Sequence, residues 1–383
     1  MFFYLKDGDA QIDAMMASVC ETGGGPVKQL TDLSIRWSDY PETAARAAES
    51  VATAKRPPRN RRHRATKTLI YRLQYNRFRQ IFEHHPGAVA VAWNGLTGTR
   101  RAYLAAARDA GIGIIAMERA PLPGRVTVDP VGVNQVNMLA RDPDFYRSWA
   151  SEQTSQREAG WRELKSKLVA RAASKRSDVA QSAADSTLAE TPFIFCPLQV
   201  PDDTQIKLFG GWVRTMDRFL MLLEFAASQL PEGWHLRVKE HPSSKIKLTS
   251  ILEAAQAQLP GKIIIDNTTD TFAQVDASRL VLTLNSSVGL QAFWYDKPVA
   301  VLGEAFFRMP GLVTEVDGVS DLLRLFQNPD QASFDPDLRA AFMNYLDQVY
   351  YPEMEGDGAA TRLRPEKVLP KIDLARASIT KPT

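Results

Sequence analysis

Short apolar runs alternate with helix-period segments along two stretches of this chain. That alternation admits few folds, because it builds an open parallel sheet with helices packed on both faces. In the first stretch, AVAVAWN (88–94) reads as a buried strand, GTRRAYLAAARDAG (98–111) as a helix closed by Gly111, and IGIIAMER (112–119) as the next strand. This is a βαβ unit, and Arg101, Arg108 and Asp109 set against YLAAA give its helix one polar and one apolar side. In the second stretch, FIFCPLQ (193–199), WHLRVKEHP (234–242), GKIIIDN (261–267), RLVLTLNSS (279–287) and KPVAVLGEAFF (297–307) read as strands. WVRTMDRFLMLLEFAASQLP (212–231) reads as a helix with a long apolar stripe, ended by Pro231, and a further helix is expected from about Val288 to Tyr295.

A chain of 383 residues exceeds one ordinary core, so two α/β domains are expected, at 1–150 and 191–330. Between them, residues 151–190 are polar and rich in Ala and Ser, and read as a helical linker. The segment 331–383 reads as one helix, at 336–351, and a tail weakly packed after about Leu369.

Composition narrows the class further. Hydrophobic residues make up 44% and charged residues 24%, which is globular. No apolar run approaches the roughly 20 residues of a membrane-spanning helix. The start, MFFYLKDGDAQ, lacks the basic and apolar regions of a secretory signal. Cys20 and Cys196 are the only two cysteines, too few for a disulfide framework or a zinc cluster, and a cytoplasmic location is expected. The net charge of +3 is small, but the stretch KRPPRNRRHRATK (55–67) carries seven Lys/Arg and no acid. It reads either as a solvated loop or as a patch for anionic lipid headgroups or an acidic polymer. Without aromatic interleaving or overall basicity, nucleic acid is not an expected partner.

Ligands of open parallel sheets bind beyond the carboxyl ends of the strands. Here the expected strands end in Glu118-Arg119, then Gln199 with Asp202-Asp203, then Lys239-Glu240-His241, then Asn285-Ser286-Ser287 with Gly289, then Gly303-Glu304. Five polar strand ends in succession point to one shared cleft. Asn285 or Ser286 suits an N-cap, and Ser286 and Ser287 at a helix start suit either capping or a phosphate. There is no G-x-x-x-x-G-K-[ST] loop and no G-x-G-x-x-G after a strand, so a P-loop enzyme and a classical NAD site are unsupported. The scattered His residues show no metal-ligand spacing, and neither a metal nor a cofactor is expected.

The segments FCPLQVPDDTQI, LRVKEHPSSK and TLNSSVGLQAFWYDKPVAVLGEAFF resemble those of the bacterial capsule polysaccharide biosynthesis proteins, which include retaining β-Kdo glycosyltransferases that use CMP-Kdo. AWNGLTGTRRAYLAAARDAGIGIIAMERAPLPGRVTVDPVGVN resembles their N-terminal half, and the resemblance covers about 85–310. It implies two Rossmann-like domains facing across a cleft, a GT-B-like arrangement. The first domain would serve the acceptor and the second the nucleotide sugar. It also implies cytoplasmic work on a glycan or lipid-linked acceptor, and the basic stretch 55–67 adds the expectation of a peripheral place on the inner face of the membrane.

By the same resemblance, Lys239 and His241 would hold the CMP phosphate or ribose, with Gln199, Ser286, Ser287 and Gly289 also on the donor side. Glu240 alternates to the other face and reads as structural. Retention commonly needs a carboxylate nucleophile. Asp203 matches the family segment that carries it, with Asp202 as the competing choice. Glu118 is the expected acid–base for the acceptor oxygen, and Asp129 its rival. VPDDTQ and ERAPLPGRVTVDPVGVN depart from the best-known Kdo-transferase wording, so another acidic sugar stays open as donor. A non-catalytic glycan-binding protein of capsule export and a different nucleotide-sugar enzyme are the competing functions.

Overall fold

β1 (Phe2–Leu5) lies inside a five-stranded sheet, which explains why Phe2, Phe3 and Leu5 are all buried. The chain continues through α1 (Ala10–Thr22), β2 (Val27–Leu30), α2 (Thr43–Ala52), α3 (Arg61–Glu83), β3 (Val89–Trp93), α4 (Gly98–Asp109), β4 (Gly113–Arg119) and β5 (Val126–Asp129). The sheet order is β2-β1-β3-β4-β5, parallel except for β5, which runs antiparallel to β4. This shares the strand order of doubly wound, flavodoxin-like sheets. Helices cover both faces, so all of β3 and the first five residues of β4 are buried. Asp9 starts α1 by accepting from the Gln11 and Ile12 amides, and Gly111 ends α4 at φ +70°. This computed structural model describes residues 1–153, 160–170, 176, 178–181 and 188–379.

The second unit spans Ala140–Tyr345. It comprises α5 (Pro143–Glu152), α6 (Gly160–Glu163), β6 (Phe193–Pro197), α7 (Thr204–Phe209), α8 (Met216–Ala227), β7 (His235–Lys239), α9 (Thr249–Gln258), β8 (Ile263–Ile265) and α10 (Thr271–Ala277). It goes on through β9 (Leu280–Thr283), α11 (Ser287–Gln291), β10 (Val299–Val301), β11 (Thr314–Glu315), α12 (Val319–Gln327) and α13 (Pro336–Tyr345). The sheet is parallel throughout, in the order β11-β10-β9-β6-β7-β8. Read from the β8 edge, this is the order 3-2-1-4-5-6 of a dinucleotide-type fold. Ile194, Leu236, Leu280 and Leu282 meet Phe219, Leu223 and Phe326 in its core.

Of the expected linker 151–190, residues 154–159, 171–175, 177 and 182–187 lie outside the described residues. What is described belongs with the second unit. Trp161 is buried, its carbonyl accepts from Trp294 Nε1 at 2.6 Å, and the two rings meet edge to face. Arg176 is buried as well.

The expectation of a weakly packed tail is corrected. After α13 the chain passes through a π-helical turn, Leu346–Tyr350, and rejoins the first unit, which is made of Met1–Leu139 and Leu346–Thr383. There β12 (Met354–Glu355) pairs with β13 (Arg362–Leu363), and α14 (Pro365–Ala377) packs on the first sheet. Val368, Ile372 and Ala375 are buried beside Ile115, Val126 and Val128. Their i, i+4, i+7 spacing is a helical stripe, hidden among polar neighbours and interrupted by Pro370. The fit is close: a Cβ on Gly113 would stand 2.4 Å from the Ala375 carbonyl oxygen. The chain thus holds two Rossmann-like α/β units, the GT-B-like composition, with the second inserted into the first.

Candidate active site

In the second unit the strand order reverses between β6 and β9. In doubly wound sheets ligands bind at such a reversal, beyond the carboxyl ends of the strands. Gln199, two residues beyond β6, and Asn285, two residues beyond β9, meet at this point, with Gln199 Nε2 donating to Asn285 Oδ1 at 2.8 Å. Asn285 Nδ2 in turn donates to the carbonyls of Gln205 (3.0 Å) and Phe209 (2.8 Å), tying α7 to the end of β9. Both amides are buried, so their orientation is fixed by these bonds.

Around this floor stand the predicted polar residues. Asp203 is half-exposed and caps α7, its Oδ1 accepting from the Gln205 amide at 3.0 Å, while Asp202 is exposed. Ser286 caps α11, its hydroxyl accepting from the Val288 amide at 3.2 Å, and Ser287 is exposed beside it. His241 is half-buried beyond β7, and its Nδ1 accepts from the Ser243 amide at 3.1 Å. That bond places the proton of the neutral ring on Nε2. With strands about 4.8 Å apart, the ends of β7, β6 and β9 span roughly 10 Å, the scale of a nucleotide phosphate and its sugar. Gly303, beyond β10, completes the rim: a Cβ there would lie 2.8 Å from the Phe209 carbonyl oxygen.

Three expected roles do not match the side-chain placements. Lys239 is buried, and its Nζ donates to the carbonyls of Thr269 (2.7 Å) and Ala180 (2.9 Å). Burial lowers its pKa to about 8, against the pull of Asp266 and Asp270. It ties loops together and does not reach a phosphate. Gly289 is buried where a Cβ would meet Thr283 Cγ2 at 2.9 Å and the Phe307 ring at 3.2 Å, so its task is close packing of α11 on β9. Asp129 is fully buried and accepts from the Val131, Gly132 and Met138 amides and from Tyr350 Oη at 2.6 Å. Four donors occupy it as a loop clamp, which leaves it no acid–base work. Glu240 is structural, as expected, in a buried pair with Arg176.

In the first unit the order reverses between β1 and β3. Glu118, near the end of β4, accepts from Asn94 Nδ2 at 2.7 Å and from the Arg119 amide at 2.9 Å. Burial raises its pKa, opposed by those bonds and by Arg100 and Arg119. Asn94 follows β3 at φ +64°. Arg100, on the first turn of α4, pairs with Asp7, which follows β1. Asp7, Asn94 and Arg100 were not expected from the sequence. The signal was present in KDGDA after an apolar FFYL run, but a four-residue strand at the chain start is a weak pattern.

The basic stretch is half helix. Residues 55–60 form a loop, Asn60 caps α3 through the His63 amide, and the remainder is the first two turns of α3. Among the described residues, no three His, Cys, Asp or Glu side chains cluster as metal ligands, and no helix is long and apolar enough to cross a membrane.

The sequence profile of the capsule polysaccharide biosynthesis proteins matches residues 158–351, just over half of the chain. The chain belongs to that family. Protein FixF of Sinorhizobium fredii is 29% identical over 264 residues, 68% of this chain and 60% of that protein. The capsule polysaccharide modification protein LipB of Neisseria meningitidis serogroup B is 22% identical over 180 residues, 44% of this chain and 43% of LipB. The chain therefore spans less than two thirds of the length of these curated relatives. Among solved structures, the KpsC beta Kdo 2,4 transferase of Thermosulfurimonas dismutans is similar, with a TM-score of 0.47 and 16% identity over 75% of this chain and 87% of that one.

Proposed function

We propose that this chain is a glycosyltransferase of capsular or surface polysaccharide assembly, transferring Kdo from CMP-Kdo, with retention, to a glycan or lipid-linked acceptor at the inner face of the membrane. The observation that supports it most is the β6–β9 reversal, with Asp203, His241 and the Ser286–Ser287 pair each following one of the adjacent strands β6, β7 and β9. Membership in the family supplies the polysaccharide context, and the sequence resemblance supplies the donor.

In this reading the donor phosphate is met by His241 Nε2–H and by the hydroxyls of Ser286 and Ser287, while Gln199 and Asn285 hold the floor of the site rigid. The Asp203 carboxylate attacks the anomeric carbon. A bond forms from its oxygen to that carbon, the bond to the phosphate oxygen breaks, and CMP leaves with the electron pair. An acceptor hydroxyl then attacks the same carbon as Glu118 takes its proton, and Asp203 departs as carboxylate. Two inversions give net retention. The capping bond from Gln205 orients Asp203 before the donor arrives.

The test has two arms. CMP at 100 times its dissociation constant stabilises the protein by roughly 2.7 kcal/mol in thermal shift, and the paired change Ser286→Ala, Ser287→Ala weakens this response. Stabilisation by UDP or ADP with none by CMP removes the donor assignment. Asp203→Asn keeps CMP binding and loses transfer, because a nucleophile acts mainly in the transition state. Glu118→Gln accumulates a glycosyl adduct visible by intact mass. An adduct on Asp202, or full activity in Asp203→Asn, overturns the choice of nucleophile, and CMP binding with no transfer to any acceptor favours a binding protein.

A further inference from the structure

The first unit carries an apolar surface that the reaction does not use. The segment between β2 and α2 exposes Leu33 (83%), Ile35 (54%) and Trp37 (71%). Singly exposed apolar side chains are ordinary, but large ones grouped on one loop mark an interaction surface. The loop is not loose. The Arg36 amide donates to the Leu73 carbonyl at 2.9 Å, Gln74 Nε2 donates to the Asp32 carbonyl, and Asn76 Nδ2 donates to Asp39 Oδ1 at 2.9 Å. The exposed side chains are therefore held out by a fixed backbone against the middle of α3.

One turn earlier on α3, Leu69 (41%) and Ile70 (44%) are also exposed. Leu69 continues the i, i+4 row that ends in the buried Leu73. The same helix begins with Arg61, Arg62 and Arg64, all exposed, and the loop before it adds Lys55, Arg56 and Arg59. Lys67 Nζ donates to the Arg56 carbonyl at 2.7 Å, folding that basic loop back onto the helix. The acids nearby do not cancel this charge. Asp39 is paired with Arg72, and in formal charge Arg36 offsets Asp32 within the same loop.

We infer that this surface, the loop bearing Leu33, Ile35 and Trp37 together with the N-terminal half of α3, is the face by which the protein sits on an anionic bilayer. The chemistry is complementary to a headgroup layer in two ways at once. Guanidinium and ammonium groups meet lipid phosphates, and a tryptophan with branched aliphatic side chains enters the acyl boundary beneath. A soluble polyanion would use the charges and leave the apolar side chains in water. The inference rests on the reading that the acceptor is membrane-bound, and extends it by naming the contact.

The experiment is co-sedimentation of the full chain with phosphatidylcholine vesicles and with phosphatidylcholine–phosphatidylglycerol vesicles, at low and high salt, with heparin as the soluble polyanion. Wild type binds the anionic vesicles and releases partly with salt. Replacing Arg61, Arg62 and Arg64 by Gln lowers partitioning by roughly fivefold per charge at low salt. Trp37→Ala with Leu33→Ser lowers it by about tenfold at both salt concentrations. Unchanged vesicle binding in the apolar variant overturns the inference. So does heparin binding as tight as vesicle binding, and so does a dimer in gel filtration that the apolar variant converts to monomer. The CMP thermal shift is read in every variant. A lost membrane contact with an intact CMP response, or the reverse, separates this inference from the donor-site reading.

Discussion

Glu240→Ala is expected to be the most damaging single change near the proposed site that touches no proposed substrate contact. The Glu240 carboxylate accepts from Arg176 Nη1 (3.0 Å) and Nη2 (3.2 Å), the Leu248 amide (2.8 Å), Thr249 Oγ1 (2.6 Å) and Asn267 Nδ2 (3.2 Å). Both side chains of the ion pair are almost wholly buried. Removing the carboxylate leaves a buried guanidinium that, among the described residues, keeps only Asp178, whose side chain is partly exposed. Breaking one partner of a buried pair costs about 3–5 kcal/mol. In a unit of this size 1 kcal/mol moves the melting midpoint by about 2–4 °C, so the second unit should melt roughly 6–20 °C lower. Scanning calorimetry of the full chain reads this directly. The pH dependence supplies an internal check. Burial pushes the Glu240 pKa up, but the bonds from Arg176, Thr249 and Leu248 outweigh it and hold the group below the usual carboxylate range. A depressed folded value contributes stability above the unfolded pKa of about 4.3, and that contribution is lost as pH falls through the folded value. The gap between wild type and Glu240→Ala should therefore close on acidification. A midpoint within about 2 °C of wild type at neutral pH, or a gap that does not respond to acid, would refute this account of the pair.

Gly289→Ala should cost about 1–3 kcal/mol and weaken the CMP response, because the new methyl presses on Thr283 and Phe307 and shifts the Ser286–Ser287 turn; chemical denaturation and thermal shift check this together. The transfer rate should fall on acidification with an apparent pKa above the ordinary glutamate value, because burial raises Glu118 and only its ionised form takes a proton. A pH–rate profile that loses this limb in Glu118→Gln supports the assignment. Removing α14 should unfold the first unit, which would appear as a lost calorimetric transition, since Val368, Ile372 and Ala375 are part of its core.

The parallel α/β class was legible because buried strands such as AVAVAW and LVLTL are continuous apolar runs between amphipathic helices, a pattern fixed by burial on both faces. The strand ends were legible for the same reason: Gln199, Asp203, His241 and Ser286 appear where the apolar run stops. What those side chains bond was not. Lys239 and His241 are two residues apart, yet one is spent on the carbonyls of Ala180 and Thr269 while the other lies at the rim. Only the packing of distant segments separates them. Asp129 was similarly opaque, since one of its four donors is Tyr350, 221 positions away. The first switch point was missed because β1 has four residues and its partners Asn94 and Arg100 come some 90 residues later.

The return of the chain to its first unit has a consequence for biosynthesis. As the ribosome extends the chain, the strands of the first sheet emerge early, but the helix that covers Ile115, Val126 and Val128 is made only after the whole inserted unit. At translation rates of about 5–20 residues per second, that apolar face waits roughly 10–50 s for its lid. During this interval the nascent protein offers a chaperone a defined, open sheet face, and a message cut short anywhere within the inserted unit yields a product marked for proteolysis by the same exposed patch.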